Sequence, residues 1–126
     1  MNYPENLLYA KSHEWAKIDE NGVAAVGITD YAQHELGDLV FVNLPMVGDE
    51  VEAGRPFGDV ESVKAVSDVF CPVSGVVAEV NEELLDQPQL INETPYDAWF
   101  IKVENAQAGP DLMDKAAYEK MIAETE

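Results

Sequence analysis

Val60-Glu61-Ser62-Val63-Lys64-Ala65-Val66-Ser67-Asp68-Val69 is nearly its own mirror image, and the fold is read from it. Valine mirrors valine, Ser62 mirrors Ser67, and Glu61 mirrors Asp68, with Lys64-Ala65 at the centre. Two runs rich in β-branched residues around a two-residue centre predict a β-hairpin. Two features conflict with plain structure. A two-residue turn favours Asn-Gly, Asp-Gly or another glycine pair, and Lys-Ala is none of these. The mirror register also sets Glu61 against Asp68, and like charges opposed across strands destabilise the pair. A lysine held at a hairpin tip against local preference marks a candidate functional residue, because local rules tend to break at functional sites. The plain alternative is that lysines are common in turns.

Outward from the hairpin, short strands and turns alternate. Ser12 to Ile28 reads as a strand pair turning at Asn21-Gly22. Thr29 caps a short helix that runs to Leu36 and stops at Gly37. Leu39 to Leu44 reads as a strand with Val40, Val42 and Leu44 on one face, followed by a short strand at Glu50 to Glu52. The hairpin arms are Phe57 to Val63 and Val66 to Phe70, expected to be held in register by Val60, Val63, Val66 and Val69. Pro72 to Gly75 reads as a loop, Val76 to Val80 as a strand, and Glu82 to Leu85 as one helical turn. Asn92 to Asp97 reads as a polar loop before a strand at Ala98 to Glu104. A C-terminal helix spans about 111–124, capped by Asp111, with Met113, Ala117 and Met121 in one row and Tyr118 and Ile122 in the next. The sum is a mainly β fold, an antiparallel sandwich or flattened barrel with short helices and one C-terminal helix, in a single domain over 1–126.

Composition narrows the function. Of 126 residues, 25 are acidic and 7 basic, a net charge of −18. Such a surface repels phosphate backbones and anionic membranes, so neither nucleic acid nor membrane is expected as a partner. No apolar run approaches membrane-spanning length, and no secretory signal is read at Met1 to Asn6. The one cysteine, Cys71, has no disulfide partner within the chain, which fits a cytoplasmic location and a buried thiol. It has no spacing partner for a metal site, and His13 and His34 are far apart in sequence. No phosphate loop or nucleophile elbow occurs. A nucleophilic lysine needs burial or cationic neighbours to lose its proton, and Lys64 is set among acids instead. A role as attachment point fits Lys64 better than catalysis.

Glu61-Ser62-Val63-Lys64-Ala65 followed by Ser67-Asp68 resembles the lipoate-attachment motif of the H proteins of the glycine cleavage system. The resemblance extends over nearly the whole chain, through Ser12-His13-Glu14-Trp15, Gly27 to Gln33, Leu36 to Val42, Pro72 to Gly75, Leu90 to Asn92, and Pro95-Tyr96 with Trp99. It implies a lipoyl/biotinyl-carrier-like hybrid of two antiparallel sheets and a non-enzymatic carrier with lipoate on Lys64. The implied partners are the pyridoxal-phosphate glycine decarboxylase, the tetrahydrofolate-dependent aminomethyltransferase, dihydrolipoamide dehydrogenase and a lipoate-attaching enzyme. By the same resemblance, Ser12, Glu14 and Asp68 would receive the loaded arm in a cleft, and Glu61 belongs to the attachment motif. Three other readings share parts of this pattern, and one, a biotin carrier, would usually show Met on both sides of the lysine where Val63 and Ala65 stand. A lipoyl domain of a 2-oxo acid dehydrogenase would share the hairpin but normally lacks the C-terminal helix. An acidic interaction domain would leave Lys64 unmodified.

Overall fold

The computed structural model describes residues 1–125. In chain order the elements are β1 (Leu8–Tyr9), β2 (Glu14–Ile18), β3 (Ala24–Ile28), α1 (Asp30–Leu36), β4 (Leu39–Asn43), β5 (Glu50–Val51) and β6 (Pro56–Ser62). Then follow β7 (Val66–Phe70), β8 (Val73–Val80), α2 (Glu83–Asp86), α3 (Leu90–Glu93), β9 (Ile101–Ala108) and α4 (Lys115–Thr125). One antiparallel sheet has six strands in the order β1-β2-β3-β9-β8-β5, and the other has three in the order β4-β6-β7. The expected architecture of two antiparallel sheets with short helices and a C-terminal helix is what forms. Among the described residues no helix is long and apolar enough to cross a membrane.

The main core joins the two sheets through Val26, Val42, Val60, Val69, Val77 and Phe100. A second cluster lies on the other side of the larger sheet, where Tyr9, Trp15 and Tyr31 pack with Tyr118 and Ile122 of α4. That second layer explains β2. Its alternation does not become one wet and one dry face, because Glu14, Trp15 and Ala16 are all buried. Ala16 packs in the main core and Trp15 in the aromatic one.

The turn at Asn21-Gly22 and the helix capped by Thr29 form as expected, with the Thr29 hydroxyl accepting the Ala32 N–H. Several other expectations are corrected. A bulge between Leu39 and Phe41 rotates β4, so Val40 is 53% exposed while Leu39 and Val42 are buried. The segment expected as a loop at Pro72 to Gly75 enters β8 at Val73, and Gly75 accommodates an irregularity there at φ +157. Asn92 lies in α3 rather than a loop, and the last strand begins at Ile101 and runs on to Ala108. α4 starts later than Asp111, because Asp114 caps it by accepting the Ala117 N–H at 2.9 Å. Met113 therefore lies outside the helix, where it exchanges backbone hydrogen bonds with Tyr9. Tyr118 and Ile122 are buried, and Met113 and Met121 of the other expected row pack partly buried against the same cluster, whereas Ala117 is exposed.

Candidate functional site

The palindromic segment forms a hairpin, but not in its mirror register. Glu61 pairs with Val66, Val60 with Ser67, and Asp59 with Asp68. The turn is therefore Ser62-Val63-Lys64-Ala65, closed by the Ser62 N–H on the Ala65 carbonyl at 2.8 Å. Neither Val63 nor Lys64 has a positive φ. The Ser62 hydroxyl stands in for a glycine turn, accepting the N–H groups of Lys64 at 3.2 Å and Ala65 at 3.1 Å. A serine side chain that bonds its own turn in this way resolves the missing Asn-Gly signal.

A platform supports the tip from below. The Val63 N–H donates to the Asp38 carbonyl at 3.2 Å. Lys64 lies over Gly37, the residue that ends α1 at φ +82, and a Cβ there would meet the lysine Cε at 3.4 Å. Asn92 fixes this corner. Its amide donates to the Gly37 carbonyl at 2.9 Å and to Gln33 at 3.1 Å, and its oxygen accepts the Leu39 N–H at 3.0 Å. The sequence marks Asn92 as a polar residue at the end of a family-like segment, and neither mark records this bonding role. Lys64 itself is exposed and enters neither of the two ion pairs among the described residues, Arg55–Glu52 and Lys102–Glu79.

The like-charge pair differs from the expected one. Asp59, not Glu61, faces Asp68 across the strands, and the Asn43 amide holds the Asp59 carboxylate at 2.7 Å. Asp59, Glu61 and Asp68 share the outer face of the three-stranded sheet, opposite buried Val60 and Val69. Val63 and Val66, expected to hold the register, are 73% and 66% exposed. Their odd spacing from Val60 and Val69 cannot place all four valines on one face.

Ser12 and Glu14 are brought together at the root of the hairpin. Glu14 is 2% exposed, accepts the Ser12 hydroxyl, and accepts the Phe70 N–H at 3.1 Å. This carboxylate thus ties β2 of one sheet to β7 of the other. Burial pushes the Glu14 carboxyl up to about 7, and its bonds to Ser12 and Phe70 oppose that shift without cancelling it. A cleft of about 280 Å³ opens beside Ser12, Phe70, Cys71 and Gly109. Asp68 stays exposed, two residues nearer the tip. Along β7, Asp68 is about 7 Å past Val66, where the strand leaves the turn, and Phe70 about 13 Å past it.

Two antiparallel sheets presenting a hairpin-tip lysine define the class of lipoyl- and biotinyl-carrier-like domains. The family model described as glycine cleavage H-protein matches residues 7–125, so the chain belongs to that family. The glycine cleavage system H protein of Lachnoclostridium phytofermentans is 55% identical over 97% of this chain and 96% of its own. That of Halalkalibacterium halodurans is 56% identical over 98% of each. A crystal structure of a glycine cleavage system H protein from Mycobacterium marinum superposes with a TM-score of 0.90 at 40% identity, covering 96% of this chain and 99% of that one. Membership makes this a lipoyl carrier component of a multienzyme system rather than a catalytic enzyme, and sets aside a 2-oxo acid dehydrogenase domain.

Proposed function

We propose that residues 1–126 act as one carrier domain with lipoate joined to the Lys64 Nζ by an amide bond. In this reading the protein shuttles the aminomethyl group of glycine from the pyridoxal-phosphate-dependent glycine decarboxylase to the tetrahydrofolate-dependent aminomethyltransferase. Dihydrolipoamide dehydrogenase then reoxidises the carrier, and a lipoate-attaching enzyme loads it beforehand. The observation that carries this reading is the exposed lysine on a turn pinned by Ser62 and Asp38, with its side chain over Gly37. When bound, lipoate supplies reversible thiol chemistry on an arm reaching on the order of 10 Å or more.

The chain's own residues do the rest. The turn bonds hold Lys64 Cα still, so only the side chain sweeps. Glu61, in the attachment motif, and Asp68 set negative charge on the outer face of the two strands that lead to the tip. Of the two candidate cleft acids, Asp68 is nearer the tip than Glu14. Ser12 and Glu14 lie deeper, and a cation beside Glu14 would favour its ionised form against the burial that opposes it. Docking to partners draws on basic patches that complement a charge of −18. Cys71 is a buried free thiol, pushed up to about 11 by burial, which suits a reducing cytoplasm.

Peptide mass mapping after co-expression with a lipoate ligase tests the attachment. The lipoyl mass should appear on the Lys64 peptide and on none of the other lysines. An unmodified Lys64 peptide returns the protein to an unmodified acidic interaction domain.

A further inference from the structure

β7 is an edge strand, and β6 lies at the centre of its sheet. In an antiparallel pair, alternate residues turn their amide and carbonyl groups toward the partner, and the others point away. The bond between Ser62 and Ala65 marks that pair as hydrogen-bonded. Two residues further along each strand, Val60/Ser67 and then Gly58/Val69 are hydrogen-bonded in turn, whereas Glu61/Val66 and Asp59/Asp68 are not. The main-chain groups of Glu61 and Asp59 face β4, where they pair with Phe41 and Asn43. Those of Val66 and Asp68 face outward from the sheet. Phe70 comes next in the same row, and its N–H is taken by the Glu14 carboxylate. No such cap meets the Val66 and Asp68 N–H groups among the described residues. The edge is blunted at the root and left open beside the tip.

We propose that this open edge at Val66 and Asp68 is the docking strip for the enzyme that acylates Lys64, occupied by an extended basic segment of that enzyme added as a fourth strand. The proposal rests on Lys64 being the attachment site. An unpaired strand edge is a template for another strand, with main-chain bonds giving affinity and side chains giving selectivity. Val66 is two residues from Lys64, no more than about 7 Å along the chain. An enzyme acting on the lysine nitrogen must come this close, whereas enzymes that take a loaded arm are held off by its length. Strand addition would also fix the direction in which Lys64 enters the active site. The charge of the occupant follows from Asp59, Glu61 and Asp68 on the same face. A second copy of this chain is a poor occupant, because it would set Asp68 against an equally acidic edge.

Hydrogen exchange on the unlipoylated protein tests the strip, with a lipoate–protein ligase added and lipoate withheld. The Ser67 and Val69 amides should be slow with or without ligase. The Val66 and Asp68 amides should be fast in the free protein and slow roughly tenfold or more in the complex. Val66→Pro removes one outward N–H and no bond to β6, so acylation kcat/KM should fall roughly tenfold while Val66→Ala stays near wild type. Should the proline variant not fold, the exchange pattern of the native chain decides. Unchanged Val66 and Asp68 exchange in a complex that still acylates Lys64 overturns the strip alone. The same protection in lipoylated protein without ligase also overturns it, by making the arm the occupant. Failure of Lys64 to be acylated overturns the attachment reading and the strip with it.

Discussion

The tip and the root of the β6–β7 hairpin are both rigid, for opposite reasons. At the tip, Val63, Lys64, Ala65 and Val66 are exposed, and the turn is held by bonds from one serine to its own neighbours. At the root, Val69 and Cys71 are buried, and a buried carboxylate from β2 binds the Phe70 amide. Local hydrogen bonds order a turn without depending on what its side chains do in solvent. Burial orders the root, so every group there is coupled to the fold. The protein can therefore change the chemistry at Lys64 without disturbing the core.

The sharpest test of this contrast is Lys64→Arg. Arginine keeps the charge but cannot form the amide to lipoate. Lipoyl incorporation and glycine–bicarbonate exchange should drop to background, while stability stays within about 0.5 kcal/mol of wild type in urea melts. Retained exchange would show that the tip's chemistry does not reside in Lys64.

At the root, Glu14 makes stability depend on pH. Its folded-state value of about 7 is above the ordinary 4.5, so between these the folded chain keeps a proton that the unfolded chain has released. Its contribution is full below about 4.5 and is lost as pH rises through about 7. Glu14→Gln cannot ionise and can still serve both Ser12 and Phe70. The variant should gain on wild type by a few kcal/mol between pH 4 and pH 8, read from urea midpoints. A constant difference across that range would mean that the ionised carboxylate is fully compensated where it lies.

The valines give a direct comparison of the two ends. Val69→Ala should cost about 2 kcal/mol, since it opens a cavity in the core. Val63→Ala should cost less than about 0.5 kcal/mol. Similar costs would erase the distinction between burial and local bonding. Between these two lies Ser62→Ala, expected to cost about 1 kcal/mol, with faster hydrogen exchange at the Lys64 and Ala65 amides. Unaltered exchange there would mean that the main-chain bonds of Ser62 to Ala65 and of Val63 to Asp38 hold the turn without the serine hydroxyl.

The palindrome shows how far local pattern carries. It identifies two strands and an exposed lysine, but a mirrored run of valines pairs almost as well when slipped by two residues. Such a slip leaves every strand residue on its own face, so hydrophobic pattern cannot detect it. The choice is made by the Ser62 hydroxyl and by pairing of β6 with β4. For the same reason Asp59 was not legible as the partner of Asp68. Among 25 acids, nothing in composition sets Glu14 apart as the buried one, and only the family resemblance singled it out.

The sequence by itself determined what short-range chemistry decides: the Asn21-Gly22 turn, the Thr29 cap, the alternating strands and the hairpin that exposes Lys64. Each depends on residues within a few positions of one another. Tertiary structure alone decided the strand register, the aromatic layer that covers the second face of β2, the Asn92 platform and the Glu14 tie to Phe70. Glu14 and Phe70 are 56 residues apart, and Asn92 and Gly37 are 55 apart. Such contacts acquire their strength only when folding removes both partners from water, and no local pattern records that.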